Sequence, residues 1–236
     1  MSSTDLNERV NDLLESAINR FMVKDYSETL NELKAALMLD KENPIILYNI
    51  GICYCRLGLF NSANKYFNDV LKLSLSFIDS HVVKKVLAYS LIKINDYDSA
   101  EKFLTDLQSI IPDDLQVKNM LAYIYEKVRR YKDAIDIYEG IIKKRPDYFG
   151  AYNAIAYLTA LSDGDLDRAF NFVKKAIKGE AKNPAYYDTA GYILIKLGDY
   201  KRAEKFLIEA SKLLPFNQEI EAHIRELIIQ KGKSET

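Results

Sequence analysis

Few residues in this chain have the type and spacing that catalysis or metal binding would need. The two histidines, His81 and His223, lie in separate regions, and neither has a Cys, Asp or Glu at a recurrent metal-ligand spacing. Both are therefore expected at the surface. Cys53 and Cys55 are two residues apart, so on a helix they point to nearly opposite sides and cannot bind one metal ion together. We interpret them as small packing residues.

Two further motifs do not meet the requirements of the sites they resemble. The acidic stretch 163–167 resembles the start of a calcium loop, but Arg168 replaces the required glycine and Lys174 replaces the final acidic ligand. Residues 232–234 read Gly-Lys-Ser, yet the upstream glycine of a phosphate-binding loop is missing and no strand precedes them. No nucleophile, base and orienting group emerge as a set. The sequence therefore predicts a protein that is not an enzyme and has no metal and no cofactor.

Tyrosines provide a candidate site of another kind. Tyr89, Tyr123, Tyr157 and Tyr192 recur at intervals of 34 or 35 residues. A tyrosine offers a large contact area at low entropic cost and a hydroxyl group that can hydrogen-bond. A regular series of tyrosines therefore indicates a binding surface, provided that the fold brings its members to one side. The alternative is that these tyrosines are packed spacers between neighbouring repeats.

Composition favours an all-helical protein. Of 236 residues, 48% are apolar and only 9 are Gly and 5 Pro, which leaves little room for loops. The net charge of −1 removes the usual electrostatic case for nucleic acid as a partner. No apolar run approaches the roughly eighteen residues that a membrane span needs, so membrane insertion is not expected. With no visible secretory signal and only two cysteines, a cytoplasmic location is the expectation.

Small residues recur with the same period as the tyrosines. Ala63, Ala100, Ala134, Ala169 and Ala203 follow one another at intervals of 34 to 37 residues, and most have a second Gly or Ala twelve residues earlier. A period of this length is typical of one helical hairpin copied many times. Two antiparallel helices pack closest where neither has a bulky side chain, so the small residues mark the expected contact within each hairpin.

The order of small residue, aromatic residue, small residue and proline over 34 positions resembles the tetratricopeptide repeat family. The resemblance implies an all-α, right-handed superhelical solenoid of six helix-turn-helix units. We expect these units at about 10–43, 44–77, 81–114, 115–148, 149–183 and 184–217, together forming one solenoid domain over residues 1–216. The chain departs from the family pattern because it has no Trp and because Val70, Leu107 and Ile141 stand where alanine is commoner.

The segment 217–230 has an apolar face that contains Ile220, Ile224, Leu227 and Ile228. We expect a capping helix that covers the open end of the last unit, which repeat arrays need for solubility. The alternative is a helix that docks a partner or a second copy. Residues 231–236 are expected to be a disordered tail.

The resemblance also implies that the first helix of each unit builds a concave wall from its fifth, ninth and thirteenth positions, which share one face. Asn residues on this face can pair with an extended peptide backbone, and its basic side chains favour acidic groups in a ligand. We call the following residues the candidate row: Tyr48, Ile52, Arg56, Lys85, Tyr89, Lys93, Asn119, Tyr123, Lys127, Asn153, Tyr157, Asp188, Tyr192 and Lys196. In the first unit the same positions are apolar, with Leu14, Ile18 and Met22.

The predicted function is a non-catalytic scaffold or adaptor that binds an extended, acidic segment of a protein partner for complex assembly. A clamp for chaperone C-termini is not expected, because only Lys85 and Asn49 fit the positions that such clamps use. The apolar wall of the first two units could hold a hydrophobic segment of a partner or another copy of the chain. The alternatives are a self-assembling homo-oligomer, which would use the N-terminal repeat or the C-terminal helix, and a regulatory subunit of an enzyme.

Overall fold

The computed structural model describes residues 3–73 and 79–234, and over these residues it contains thirteen helices and no strand. The helices α1 to α13 span, in order, Ser3–Met22, Tyr26–Leu39, Pro44–Arg56, Phe60–Lys72, Ser80–Lys93, Tyr97–Ile110, Leu115–Lys127, Tyr131–Lys144, Phe149–Leu161, Leu166–Gly179, Pro184–Lys196, Tyr200–Leu213 and Gln218–Ser234. The all-α class expected from the composition is confirmed.

Polar caps at the helix N-termini explain where many of these helices begin. The Asp25, Asp96 and Asp199 side chains each accept a hydrogen bond from the backbone N–H three residues further on. Such caps satisfy N–H groups that have no partner inside the helix. Asn43 and Asn183 cap α3 and α11, and in both helices a proline occupies the first position, where its missing N–H costs nothing.

The turn inside most hairpins contains one residue in the left-handed region of backbone conformation. Glycine takes this position at Gly58 and Gly198, with φ values of 74° and 76°, and pays no steric cost for it. Lys24, Asn95 and Arg129 occupy the corresponding positions with φ between 60° and 64°. The turn geometry is therefore the same in these hairpins although the residue type differs.

The contacts between Cα atoms divide the chain into two compact units, Met1–Ile124 and Tyr125–Thr236, here called unit 1 and unit 2. In unit 1, α1 packs on α2, α2 on α3, α3 on α4, α4 on α5 and α5 on α6. In unit 2, each helix from α8 to α13 packs on the next. Each unit therefore consists of consecutive helical hairpins stacked side by side, which is the packing of an all-α repeat solenoid. The single solenoid domain and its repeat borders stay predictions.

The small residues lie where the helices of a hairpin approach most closely, as the sequence predicts. A Cβ atom added to Gly51 of α3 would lie 2.5 Å from Cε1 of the fully buried Phe67 of α4. A Cβ atom added to Gly191 of α11 would lie 2.6 Å from Cγ of Leu207 of α12. Neither distance is sterically possible, so the absence of a side chain sets the spacing of these two helix pairs.

Two ends of predicted elements differ from the structure. Helix α1 begins at Ser3 rather than near residue 10, with Asp5 in its first turn, where a negative charge stabilises a helix. Helix α13 continues through residues 231–234, which were expected to be disordered. The Lys231 ammonium lies 3.4 Å from a Glu204 carboxylate oxygen, and two lysines in the last turn favour the helix dipole. Residues 74–77 of the second predicted unit, and 235–236 of the tail, lie outside the described residues.

Candidate partner-binding surface

In unit 1, Tyr89 and Tyr123 of the candidate row are exposed beside two adjoining open cavities. Tyr89 of α5 is 46% exposed and Tyr123 of α7 is 41% exposed. Cavities of about 400 and 350 Å³ share Tyr89, Asn119 and Met120 in their linings. Exposed aromatic rings beside a concave surface can contact a ligand without first leaving a protein core.

The Tyr89 ring is held in place by the start of helix α4. Its edge meets the Phe60 ring at a centroid distance of 6.4 Å. The neighbouring Ser90 is buried and donates a hydrogen bond of 3.2 Å to the backbone oxygen of Phe60. Hairpin packing therefore orients the ring, which remains 46% exposed.

Two lysines of α5 differ in their ionic partners. The Lys85 ammonium donates to a carboxylate oxygen of Asp114 at 2.9 Å and to Gln116 Oε1 at 3.2 Å. Burial raises the pKa of Asp114, but hydrogen bonds from Lys85 and from the Val117 backbone outweigh it, and the pKa lies below its ordinary value. The exposed Lys93 ammonium lies 5.4 Å from the centroid of the Tyr89 ring and has no carboxylate partner among the described residues.

The first two hairpins of unit 1 form another cavity, of about 270 Å³, whose wall includes Ile18, Tyr48, Ile52 and Arg56. The apolar wall expected from the sequence is therefore present. Tyr48 and Ile52 are half-buried and Arg56 is exposed. The Tyr48 ring packs against Phe67, with 5.9 Å between the centroids.

In unit 2 the tyrosines of the candidate row pack against each other and against helix α13. Tyr157 and Tyr192 are half-buried, with 5.9 Å between their ring centroids. Burial raises the pKa of the Tyr157 hydroxyl to about 12. The Tyr192 ring also stacks on the His223 ring, with 4.8 Å between the centroids. These two side chains therefore match the alternative expectation, that of packed spacers.

Helix α13 also covers Asp188, which the sequence placed on an open binding face. Asp188 is only 6% exposed, and one of its carboxylate oxygens lies 2.9 Å from Nδ1 of His223. Burial lowers the pKa of His223, but the hydrogen bond and charge of Asp188, with the charges of Glu219 and Glu226, outweigh it and raise the pKa above 6.5. The expectation that His223 is an ordinary surface residue is wrong. The sequence feature that could have indicated this contact is that His223 lies one repeat period after Asp188.

The remaining polar side chains of the candidate row in unit 2 also have partners nearby. The Lys196 ammonium donates to the backbone oxygen of Ala160 at 2.5 Å and to Asp163 at 2.7 Å. Lys127 lies 3.1 Å from a Glu126 carboxylate oxygen. An exception is Asn153, whose side-chain oxygen is buried without a hydrogen-bond partner. Most of this surface is satisfied from within the protein.

The two cysteines lie in surroundings that make their thiols weakly reactive. Burial raises the pKa of the Cys53 thiol to about 11 and raises that of Cys55 as well, so both stay protonated and weakly nucleophilic near neutral pH. No group of three His, Cys, Asp or Glu side chains in residues 3–73 and 79–234 could hold a metal ion. Among the described helices, none is long and apolar enough to cross a membrane.

Stacked hairpins with a polar and aromatic face define a class of protein, the helical repeat proteins that present a surface rather than a reactive centre. Tetratricopeptide repeat models match residues 46–73, 119–148 and 184–216. The chain is therefore a tetratricopeptide repeat protein. This family and fold are generally those of non-catalytic scaffolds that bind protein partners.

Relatives that match this chain in sequence are longer proteins. A TPR repeat-containing protein of Methanocaldococcus jannaschii is 21% identical over 164 residues, which are 67% of this chain and 29% of that protein. The CTR9 homolog of Arabidopsis thaliana is 26% identical over 190 residues, which are 77% of this chain and 17% of that protein. The chain thus spans less than a third of the length of the relatives it matches.

Solved structures with low sequence identity share the fold. PilW, a type IV pilus biogenesis factor, superposes with a TM-score of 0.71 at 16% identity, covering 91% of this chain and 98% of PilW. Pseudomonas aeruginosa PilF gives a TM-score of 0.68 at 13% identity, over 94% of this chain and 99% of PilF. YrrB, described as a TPR protein with an unusual peptide-binding site, gives 0.60 at 14% identity, over 82% and 97%.

Proposed function

We propose that this chain is a protein–protein interaction scaffold that binds an extended segment of a partner on unit 1, centred on Tyr89, Asn119 and Tyr123. The observation that carries the proposal is the exposure of both tyrosines beside two open cavities. A folded protein gains nothing from leaving two aromatic rings on one face in water, so an exposed pair of this kind marks a contact surface.

The chemistry of this surface fits a peptide backbone with acidic side chains. The amide of Asn119 can both donate and accept, as an extended backbone requires. The Lys93 ammonium lacks a carboxylate partner among the described residues and would attract a negatively charged side chain. Tyrosine rings add contact area that depends little on the ligand's sequence.

The fold relatives support this proposal by analogy. YrrB is described as having a peptide-binding site, and the neighbour Cut9 forms a hetero-tetramer with Hcn1 in a structure that superposes with a TM-score of 0.66. Both share the hairpin stack with this chain. Complex assembly through a bound partner segment is therefore the activity that we propose.

A random peptide library displayed on phage tests the proposal with the purified protein. We expect wild-type protein to select peptides, and the double variant Tyr89→Ala, Tyr123→Ala to bind those peptides at least about tenfold more weakly, because two aromatic contacts are lost. Both rings are exposed, so the melting temperature should change little. Titration calorimetry of the selected peptides measures the dissociation constants.

Two control variants make the result specific. Tyr89→Phe with Tyr123→Phe keeps the rings and removes the hydroxyls, so it should retain most of the affinity. Tyr157→Ala with Tyr192→Ala changes the half-buried pair of unit 2, and it should lower the melting temperature while the same peptides still bind. If the library yields no binders, or if the binders ignore the Tyr89 and Tyr123 changes, the proposed function is wrong.

Self-assembly is a second candidate, because the outer face of α13 exposes two neighbouring isoleucines. Ile228 is 64% exposed and Ile229 is 56% exposed. Two adjacent apolar side chains on a terminal helix could contact a second copy. Light scattering over a range of protein concentrations would show a rising mass, and Ile228→Asp with Ile229→Asp would abolish the rise.

A further inference from the structure

The cavity formed by the first two hairpins of unit 1 has a chemistry of its own. It has a volume of about 270 Å³, and its lining is mostly apolar, with side chains from α1, α2 and α3. Ile18 is 59% exposed and Met22 is 76% exposed at its edge. This volume lies just below the range of small-molecule pockets, which begins near about 300 Å³. The space therefore suits one or two large apolar side chains.

The polar side chains in the lining are bound to the protein itself. Thr29 is buried, and its hydroxyl donates to the backbone oxygen of Asp25 at 2.7 Å. The Asn49 amide donates to the backbone oxygen of Ile45 at 2.9 Å. Both side chains thus already hydrogen-bond to backbone oxygens of their own helices or caps, and the rest of the lining is mostly apolar.

Arg56 is the charged side chain in the lining, and its charge is uncompensated among the described residues. Its guanidinium lies 6.0 Å from the centroid of the Phe21 ring, and no carboxylate within residues 3–73 and 79–234 pairs with it. Arg20 of α1 is different, because it lies 2.6 Å from Glu32 and 3.8 Å from Asp25. Arginine's planar fork pairs well with a carboxylate. An apolar cavity with a single unpaired arginine is therefore complementary to an apolar group beside an acid.

We propose that this cavity binds an acidic, leucine-type anchor of a protein partner, in which a large apolar side chain enters the cavity and a nearby carboxylate pairs with Arg56. The proposal rests on the proposed function insofar as the ligand is a protein segment, but it concerns a separate surface. In this proposal the first two hairpins bind the anchor, and the surface around Tyr89 binds the extended backbone.

A second copy of this chain fits the cavity less well. Among the exposed apolar residues that another copy would offer, the neighbours Ile228 and Ile229 lie in the segment 225–233, which contains three basic residues and one acidic residue. That segment carries a net positive charge, which Arg56 would repel. Charge complementarity therefore favours an acidic partner.

The test is fluorescence anisotropy with a labelled eight-residue peptide, Gly-Ser-Leu-Leu-Asp-Asp-Gly-Ser. Matched peptides replace the two acids by lysines or the two leucines by serines. We expect wild-type protein to prefer the first peptide over both matched peptides by about tenfold or more, since each change removes one of the two contacts. Added salt at about 0.5 M should reduce the preference for acid, because the pair is exposed to screening.

Protein variants locate the binding at this cavity. Arg56→Glu should weaken binding of the acidic peptide about tenfold, because it replaces an attraction by a repulsion, and should improve binding of the lysine peptide. Ile18→Asp should abolish binding of the acidic peptide and leave the helical circular dichroism unchanged, since Ile18 is exposed. Lys41→Glu, a matched charge reversal at an exposed site outside the lining, should have no effect.

The outcome is separable from that of the proposed function. The variant Tyr89→Ala, Tyr123→Ala should still bind the short peptide, whereas it loses the peptides selected from the library. The inference is overturned if the acidic peptide does not bind, or if Arg56→Glu and Ile18→Asp bind it like wild type. It is equally overturned if light scattering shows a dimer that Ile18→Asp dissociates, because the cavity then holds a second copy.

Discussion

The two units place equivalent residues of the same repeat in contrasting surroundings. In unit 1, Tyr89 and Tyr123 are exposed, and Lys93 has no carboxylate partner among the described residues. In unit 2, Tyr157 and Tyr192 pack together and Lys196 is bonded to the protein. Repeat position alone therefore does not make a residue available to a partner. Whether such a residue is exposed depends on the other side chains that pack on the same face.

Helix α13 accounts for part of this difference. It packs on α11 and α12, buries Ile220 and Leu227, and places His223 against Asp188 and Tyr192. Burial of two large apolar side chains stabilises the last hairpin by several kcal/mol, at about 1.5–3 kcal/mol each. The cost is that part of the candidate row is covered. In unit 2 the candidate row thus contributes to packing, whereas the partner contact that we propose lies on unit 1.

Removal of α13 should have the largest effect on this contrast. A chain ending at Asn217 loses the burial of Ile220 and Leu227, and we expect the free energy of unfolding of unit 2 to fall by about 3 kcal/mol or more. Hydrogen exchange followed by mass spectrometry should show faster exchange in α11 and α12 and little change in α3 to α5. A chain ending at Gln230 keeps both buried side chains and should exchange like wild type. Equal exchange in both truncated chains would mean that α13 does not stabilise unit 2.

Glycine substitutions should have an intermediate effect and should act in both units. Gly51→Ala and Gly191→Ala force a methyl group against Phe67 or Leu207, and we expect each to lower the free energy of unfolding by about 1–3 kcal/mol. Gly140→Ala is the matched control, because a Cβ atom there meets nothing within 4 Å in helix α8. Alanine is the better helix former by about 0.5–1 kcal/mol, so this control should raise stability. Urea unfolding measures all three variants, and similar losses would contradict the close approach of the helices.

The smallest expected change is that of the free energy of unfolding with pH, and we expect it in unit 2 only. The pKa of His223 is raised in the folded protein. Its pairing with Asp188 therefore gives the folded state its full stabilisation at pH values below the pKa of the unfolded state, which is about 6.5. That contribution is lost as the pH rises through the raised pKa. We expect a loss on the order of 1 kcal/mol when urea unfolding is followed from pH 6 to 9.

Two substitutions should remove this dependence. His223→Gln deletes the titrating group, so its free energy of unfolding should no longer fall as the pH rises from 6 to 9. Asp188→Asn deletes the main cause of the raised pKa, so the loss of stability with rising pH should disappear in that variant too. Hydrogen exchange should speed up in α13 of the wild-type protein as the pH rises, beyond the intrinsic rate, and α5 should show no such excess. A wild-type slope that survives Asp188→Asn would exclude this pair as its cause.

The periodicity of the sequence predicted the fold well because the two helices of each repeat pack against each other in the same way. The spacing of Gly51, Ala63 and their equivalents located the hairpin contacts, and Pro44, Pro184 and Pro215 located helix ends. These signals are local, since each depends on two adjacent helices of one hairpin. The all-α repeat solenoid therefore follows from the sequence.

The candidate site was less predictable because exposure depends on residues far away in sequence. The tyrosine positions follow from the repeat, but whether Tyr192 is open depends on His223, one repeat further on. The partner of Lys196 lies at Asp163, in the turn of the preceding hairpin. The extension of α13 to Ser234 depends on helix-end electrostatics that apolar periodicity does not record. Such contacts join residues that lie far apart in sequence, so the repeat period alone does not predict them.

The turn between α9 and α10 has one residue more than the other hairpin turns, yet Ala156 and Ala169 on its two helices are both fully buried. The hairpin therefore absorbs a change of length at its tip without disturbing the contact between its helices. Hairpin tips of this chain are consequently suitable places to insert a fluorophore attachment site or a short epitope. A label placed there could be used to measure partner binding without occupying the proposed binding surface.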